Sequence, residues 1–144
     1  MTSVEPSRSR LVPMDPVEAL ALLVKAPFGR VVFSHQALPA IRPANHLVEA
    51  SGDLIIRTHT GMALLDRAAL SEVVAYEADD LDPVTRTGWS VVVTGAASPV
   101  SDPAELARYQ ATLTSWVEAD MEHVVRIRAD LVTGYRVVRG GTGS

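Results

Sequence analysis

The sequence predicts a mainly β protein, a β-barrel with helical additions, on three observations. Seven stretches rich in Val, Ile, Thr and Tyr follow one another, separated by turn residues. They turn over every ~8–15 residues, the density of a closed antiparallel sheet. Only two places carry a complete helix-start signature. The 144 residues make about one domain. Residues 1–10 are polar and aperiodic and read as a flexible lead-in, 11–139 as a single domain, and 140–144 as a loose tail.

The first helix is expected over 16–26. Asp15 stands at the N-cap, Pro16 at the first helical position and Glu18 three residues after the cap, so the free N–H groups of the first turn find acceptors. Pro27 and Gly29 stop it. Strands are expected over 29–35 and 39–49, with a turn at Gln36-Ala37-Leu38-Pro39. Pro43 lacks an N–H for the ladder, so the second strand is expected at an edge, at a bulge or where the ladder opens. Ser51-Gly52-Asp53 signals a hairpin into a strand over 53–59. A short helix is expected over 61–69, then a strand over 71–78. Glu77, Asp79, Asp80 and Asp82 read as a solvated acidic loop leading to Pro83. A Val-rich strand over 88–98 precedes a helix over 103–119. That helix is opened by Asp102, Pro103 and Glu105, and Leu106, Tyr109, Leu113, Trp116 and Val117 lie on one face. Strands over 123–129 and 132–138 complete a barrel of six to seven antiparallel strands.

Composition excludes several chemistries. With no Cys there is no disulfide, thiolate nucleophile or cysteine-held metal. The formal charge of −4, with 12 Arg against a single Lys, argues against nucleic acid as partner. No run reaches the ~18 apolar residues of a membrane span. Residues 19–24 follow Asp15 and Glu18 rather than a basic leader, so a cytoplasmic protein with no membrane partner is expected. His35, His46, His59 and His123 lack the spacing of a metal motif; His46 and His59 read as partly exposed strand residues. Ser90 sits in G-W-S-V, which is not a nucleophile elbow, and no side chain is expected to act as a catalytic acid, base or nucleophile.

The informative stretch is 41–61. It reads I-R-P-A-N-H-L-V, a turn, then L-I-I-R-T-H-T-G. Arg42 and Arg57 lie on adjacent strands, and Thr58, Thr60 and Gly61 end the second one just before the short helix. A guanidinium, hydroxyls and free backbone N–H groups at such a place suit a phosphate. The same residues also suit an Arg57 paired with a surface carboxylate and threonines that simply favour strand.

The order G-R-V-V-F-S, P-A-I-R-P-A-N-H, L-I-I-R-T-H-T-G, V-V-A-Y-E-A-D and G-W-S-V-V-V-T-G-A-A, after an opening helix, resembles the pyridoxamine 5′-phosphate oxidase-like group of FMN-binding split β-barrel proteins. The likeness spans residues 14–139 and is to small members of flavin or deazaflavin oxidoreductase type. It implies a cytoplasmic homodimer that binds FMN in an interface groove and performs redox chemistry on a small-molecule substrate. It implies that Arg57, Thr58, Thr60 and Gly61 hold the phosphate, and that Arg42, Pro43 and Asn45 border the ring. Trp89 and Ser90 would stand near the cofactor and the subunit contact. Many relatives carry a Lys after the glycine; here Met62, Ala63 and Leu64 follow, and Arg67 is the first cation. That departure brings in the deazaflavin F420 as alternative cofactor, and a non-catalytic flavin- or haem-binding carrier or sensor as alternative function. The C-terminal Arg- and Trp-containing signature of the true oxidase is missing, so vitamin B6 oxidation is not expected.

Overall fold

The computed structural model describes residues 8–59, 63–113 and 122–140. Among these, nine strands and three helices follow in the order β1 Ser9–Met14, α1 Pro16–Lys25, β2 Gly29–His35, β3 Leu38–Ala44, β4 His46–Val48, β5 Leu54–His59, α2 Ala63–Ala69, β6 Val73–Asp82, β7 Thr87–Pro99, α3 Pro103–Thr112, β8 Glu122–Ile127 and β9 Leu131–Arg139. All pairings are antiparallel. The main path is β3-β2-β6-β7-β8-β5-β4, and β9 lies beside β7 and carries β1.

The 13-residue β7 is the joint of the sheet. One edge pairs with β6 from Thr87 to Ala96. The other pairs with β9 from Gly88 to Thr94, then with β8 from Ala97 to Pro99. At the change of partner the Arg128 backbone comes so close to Gly95 that a Cβ there would run into the Arg128 carbonyl. Gly95 therefore lets the sheet split into two leaves.

Alternation along the strands builds the core. Val91, Val93 and Ala97 of β7, Val74, Tyr76 and Ala78 of β6, and Leu54 and Ile56 of β5 point into one cluster. Ile55 of β5 and Val124 of β8 face the other way, where Tyr109 and Leu113 cover them. The continuous Leu54-Ile55-Ile56 run thus marks a strand buried on both faces. Both expected N-caps are present: Asp15 accepts from Glu18 N at 2.9 Å and Asp102 from Glu105 N at 3.0 Å. α1 buries Ala19 and Leu23, α2 buries Leu64 and Ala68, and α3 buries Tyr109. Fully burying one such Leu contributes about 1.5–3 kcal/mol. Among the described residues no helix is long and apolar enough to cross a membrane.

Four expectations change. Ser9 and Arg10, read as lead-in, open β1; Pro13 is tolerated there because, among the described residues, β1 pairs only with β9. The expected strand 39–49 breaks at Asn45 into β3 and β4, which pair with β2 and β5 respectively. These two differences raise the strand number from the expected six to seven to nine. The acidic run is strand rather than loop: β6 continues to Asp82, and Glu77 and Asp79 lie against Arg30 at 3.0 and 3.8 Å. Helix α3 ends at Thr112, with Leu113 as its C-cap, so the helix stops short of the expected 119. Trp116 and Val117 lie outside the described residues. Pro43 does sit on an edge strand, since β3 pairs with β2 alone among the described residues.

Candidate functional site at the end of β5

The β4–β5 ladder ends at His46 opposite Ile56, so the next residues on the two chains are Asn45 and Arg57. The fold thereby gathers Asn45, Arg57 and Thr58 at one end of this hairpin. On the other side of β5, Arg57 stands opposite Val124 and Thr58 opposite His123.

Strand alternation sends the two site residues of β5 to opposite faces. Arg57 follows Ile55 toward α3, and its Nη1 donates to the Leu113 carbonyl at 2.5 Å. Thr58 follows Leu54 and Ile56 inward and is 7% exposed. Its Oγ1 is shut off from water and has no hydrogen-bond partner among the described residues. Thr60 and Gly61 lie outside the described residues. On α2, just beyond them, Arg67 donates from Nη1 to Glu72 Oε1 at 3.1 Å, while its buried Nε has no partner among the described residues. Two enclosed donors, one on each element flanking the Thr60–Gly61 step, thus lack acceptors. The convergence expected from sequence is therefore partial: Thr58 lies on the inner face and Arg57 on the face under α3.

The remaining candidates are spread out. Arg42 and Pro43 are exposed on β3, and Arg42 Nη1 donates to its neighbour's carbonyl, Ile41 O, at 2.8 Å. Asn45 is half-buried in the gap between β3 and β4. Trp89 packs against the main core, opposite Asp80 and Arg136; Ser90 faces Asp79 and Tyr135. Both lie near the start of β7, far along that strand from Ala97, where β8 joins. Within one chain they do not meet Thr58 along the sheet. An open cleft between Arg8, Leu81, Pro83 and Val137 holds none of the candidate residues. Among the described residues no group of His, Asp or Glu is placed to hold a metal ion.

His46 is the partly exposed strand residue that the sequence suggests, at the start of β4, and its ring is engaged as well. It is half-buried, with both ring nitrogens engaged: Nε2 lies 2.7 Å from the Leu23 carbonyl of α1 and Nδ1 lies 2.6 Å from Tyr76 Oη. Burial lowers its pKa below the ordinary 6.5, against the upward pull of the Leu23 carbonyl. Tyr76 is fully buried, and its hydroxyl also lies 2.8 Å from the Ala44 carbonyl. Burial raises the Tyr76 pKa, so the phenol stays protonated. Gly29 makes room for this ring, since a Cβ there would overlap it. The signal for the pair was present in the buried alternation Val74, Tyr76, Ala78, because a buried Tyr hydroxyl requires a partner.

A second cluster escaped the sequence reading. Tyr109 Oη donates to Glu49 Oε1 and accepts from Arg108 Nη2 at 3.1 Å and Arg126 Nη2 at 3.0 Å. Arg126 also holds Glu105 at 2.7 Å. These contacts fasten α3 over Ile55 and Val124.

Residues 15–136 match the family model described as pyridoxamine 5′-phosphate oxidase. The chain belongs to that family. It is similar to an uncharacterized protein of Mycobacterium tuberculosis, 52% identical over 136 residues, which span 92% of this chain and 89% of that one. An FAD-binding protein of Mycobacterium smegmatis superposes with a TM-score of 0.75 at 34% identity, covering 90% of this chain and all 100% of the other. An FAD-binding protein of Mesorhizobium loti gives the same TM-score of 0.75 at 16% identity, over 91% of this chain and 99% of that one. The last likeness is one of fold. The split β-barrel of the family is the architecture built here around β7.

Proposed function

We propose that this chain is a flavin-binding protein of oxidoreductase type that takes FMN at the end of β5. The observation that carries the reading is the pair of enclosed donors, Thr58 Oγ1 and Arg67 Nε, that lack acceptors among the described residues. A buried polar group left unsatisfied costs about 1–3 kcal/mol. A phosphate, rich in acceptor oxygens, relieves that cost on both sides of the 60–61 step, and the residues present therefore fit the group. Thr58, Arg67, Thr60 and Gly61 would hold the phosphate, with the Arg57 guanidinium adding charge from the α3 side. Arg42, Pro43 and Asn45 would border the ring. A flavin bound there supplies hydride or electron transfer. This chain's own residues anchor, orient and shield. The FAD-binding relative at 34% identity supports a flavin.

The working form is a cytoplasmic homodimer, in which the partner's Trp89 and the partner's Ser90 complete the groove and a small-molecule substrate enters beside it. The distance along β7 between Trp89 and the β8 junction supports this, because one chain alone leaves Trp89 away from Thr58. Exposed apolar residues on β1 and β9, namely Leu11, Leu131 and Tyr135, supply a surface for it. Titration of the apoprotein with FMN, FAD and F420, followed by absorbance and sedimentation, tests the reading. Saturable FMN binding to a dimer is expected; a protein that binds none of the three contradicts it.

A further inference from the structure

The contacts of His46 and Tyr76 hold one proton fewer than they need. Three short contacts run in a chain: Leu23 O to His46 Nε2 at 2.7 Å, Nδ1 to Tyr76 Oη at 2.6 Å, and Oη to Ala44 O at 2.8 Å. Each needs a hydrogen between its two heavy atoms. A carbonyl oxygen only accepts, so both ends of the chain must receive donors. A neutral imidazole and a phenol bring two hydrogens; an imidazolium and a phenol bring three.

With His46 neutral, one of the three contacts goes without its hydrogen, and the tautomer decides which. In the Nδ1–H form the ring donates to Oη, the phenol donates to Ala44, and Nε2 is left facing the Leu23 carbonyl, which already accepts from Ala26 N at 3.1 Å. In the Nε2–H form Leu23 is served, the phenol hydrogen turns to Nδ1, and the Ala44 carbonyl loses it. With His46 protonated, Nδ1–H donates to Oη, the phenol hydrogen turns to Ala44, and all three contacts close.

Ala44 is the last residue of β3, and His46 the first of β4. Asn45 lies between them, at the end of the hairpin where Arg57 and Thr58 stand. We propose that His46 and Tyr76 are positioning residues that set the Ala44–Asn45–His46 step, and that they grip it through a proton taken up by His46. The positioning part rests on the flavin reading above; the proton count does not.

The charged groups on the surrounding elements are engaged with other partners. Glu77 and Asp79 of β6 are held by Arg30 of β2 at 3.0 and 3.8 Å, and Glu18 of α1 is held by Arg136. Arg42 of β3 bonds to Ile41 O, Arg57 of β5 bonds to Leu113 O, and Lys25 of α1 is exposed. The balance at His46 is set by burial against the Leu23 carbonyl, with no charged neighbour contributing. Burial wins, so the grip closes below the ordinary histidine range.

The test has two arms. The first uses the flavin-free, uniformly isotope-labelled protein and follows the His46 ring nitrogens and the Leu23 and Ala44 carbonyl carbons by NMR against pH. One of these two carbonyl resonances, that of the contact the neutral ring gives up, is expected to titrate together with the His46 ring. In Tyr76→Phe the His46 pKa is expected to fall, because protonation adds one hydrogen bond in the wild type and none in the variant. Two carbonyl resonances that both stay flat in the wild type, or a His46 pKa that rises or holds in the variant, overturn the proton count. The second arm measures FMN dissociation constants of wild type and Tyr76→Phe below and above the His46 midpoint that the first arm reads. Taking the ratio of the two proteins cancels the titration of the FMN phosphate itself. Tyr76→Phe is expected to weaken FMN about threefold more at the lower pH. A ratio independent of pH overturns the positioning role. A wild type that binds no FMN at either pH contradicts the flavin reading, and the first arm then decides the grip by itself.

Discussion

The Arg57 guanidinium reaches the Leu113 carbonyl at 2.5 Å and so ties the end of β5 to the C-terminus of α3. A cation at a helix C-terminus satisfies a carbonyl that the helix leaves without a donor and suits the helix dipole. The same residue expected to face a phosphate thus already secures the helix that covers Ile55 and Val124. Arg57→Ala is expected to lower the unfolding free energy by about 1–3 kcal/mol, measured by urea titration of the flavin-free protein. Arg57→Lys, which keeps a charged donor, is expected to recover part of it.

Tyr109→Phe keeps the ring that fills the pocket under α3 but removes the atom on which Glu49, Arg108 and Arg126 converge. Tyr109 is 1% exposed, so the loss leaves polar groups around an apolar edge. A cost of about 1–3 kcal/mol in urea-measured stability is expected. A change within about 0.5 kcal/mol, the ordinary range of surface substitutions, contradicts the role given to this cluster.

Gly95→Ala places a methyl group against the Arg128 carbonyl where β7 changes partner from β9 to β8. The two nearest atoms, the Arg128 carbonyl oxygen and carbon, are backbone and do not yield by rotating a side chain. Destabilisation by at least about 3 kcal/mol, or insoluble expression, is expected. Thermal unfolding of the purified variant checks it.

The pKa of His46 gives a pH dependence with a definite sign. Its folded-state pKa lies below the ordinary 6.5, so between the two values the unfolded chain binds more protons. Stability from this group is complete above about 6.5 and declines as the pH falls through that window. Glu77 acts in the opposite direction. Burial, reinforced by the Asp79 carboxylate, raises its pKa above the ordinary 4.5, so just above that value the folded state holds the extra proton. Stability from Glu77 therefore declines as the pH rises through its own window. Urea unfolding of wild type and His46→Gln at several pH values is expected to show a steeper acid-side loss in the wild type. Identical slopes contradict the assignment.

The fold was largely legible because its signals are local. Asp15-Pro16 and Asp102-Pro103 mark helix starts by chemistry confined to four residues, and both caps are present. Val91, Val93 and Ala97 announce the buried face of β7 by alternation alone. What stayed hidden depends on partners distant in sequence. Ser9 and Arg10, the start of β1, read as lead-in because such polar residues make sense as strand only once β9 lies beside them. Glu77 and Asp79 read as loop until Arg30 is placed against them. At the site, the R-T sequence of Arg57 and Thr58 was visible, but the pleat divides the pair between two faces. No local pattern reveals that Leu113 waits for the Arg57 guanidinium.

Thr58→Val tests the central claim most directly, because Val matches Thr in shape and lacks only the hydroxyl, which has no partner among the described residues. Without flavin, the variant is expected to be as stable as the wild type or more so, by up to about 1–3 kcal/mol, since an unsatisfied buried group is gone. With FMN, its dissociation constant is expected to rise about fivefold or more, the equivalent of one lost hydrogen bond of about 1 kcal/mol. A variant that binds FMN as tightly as the wild type contradicts the account.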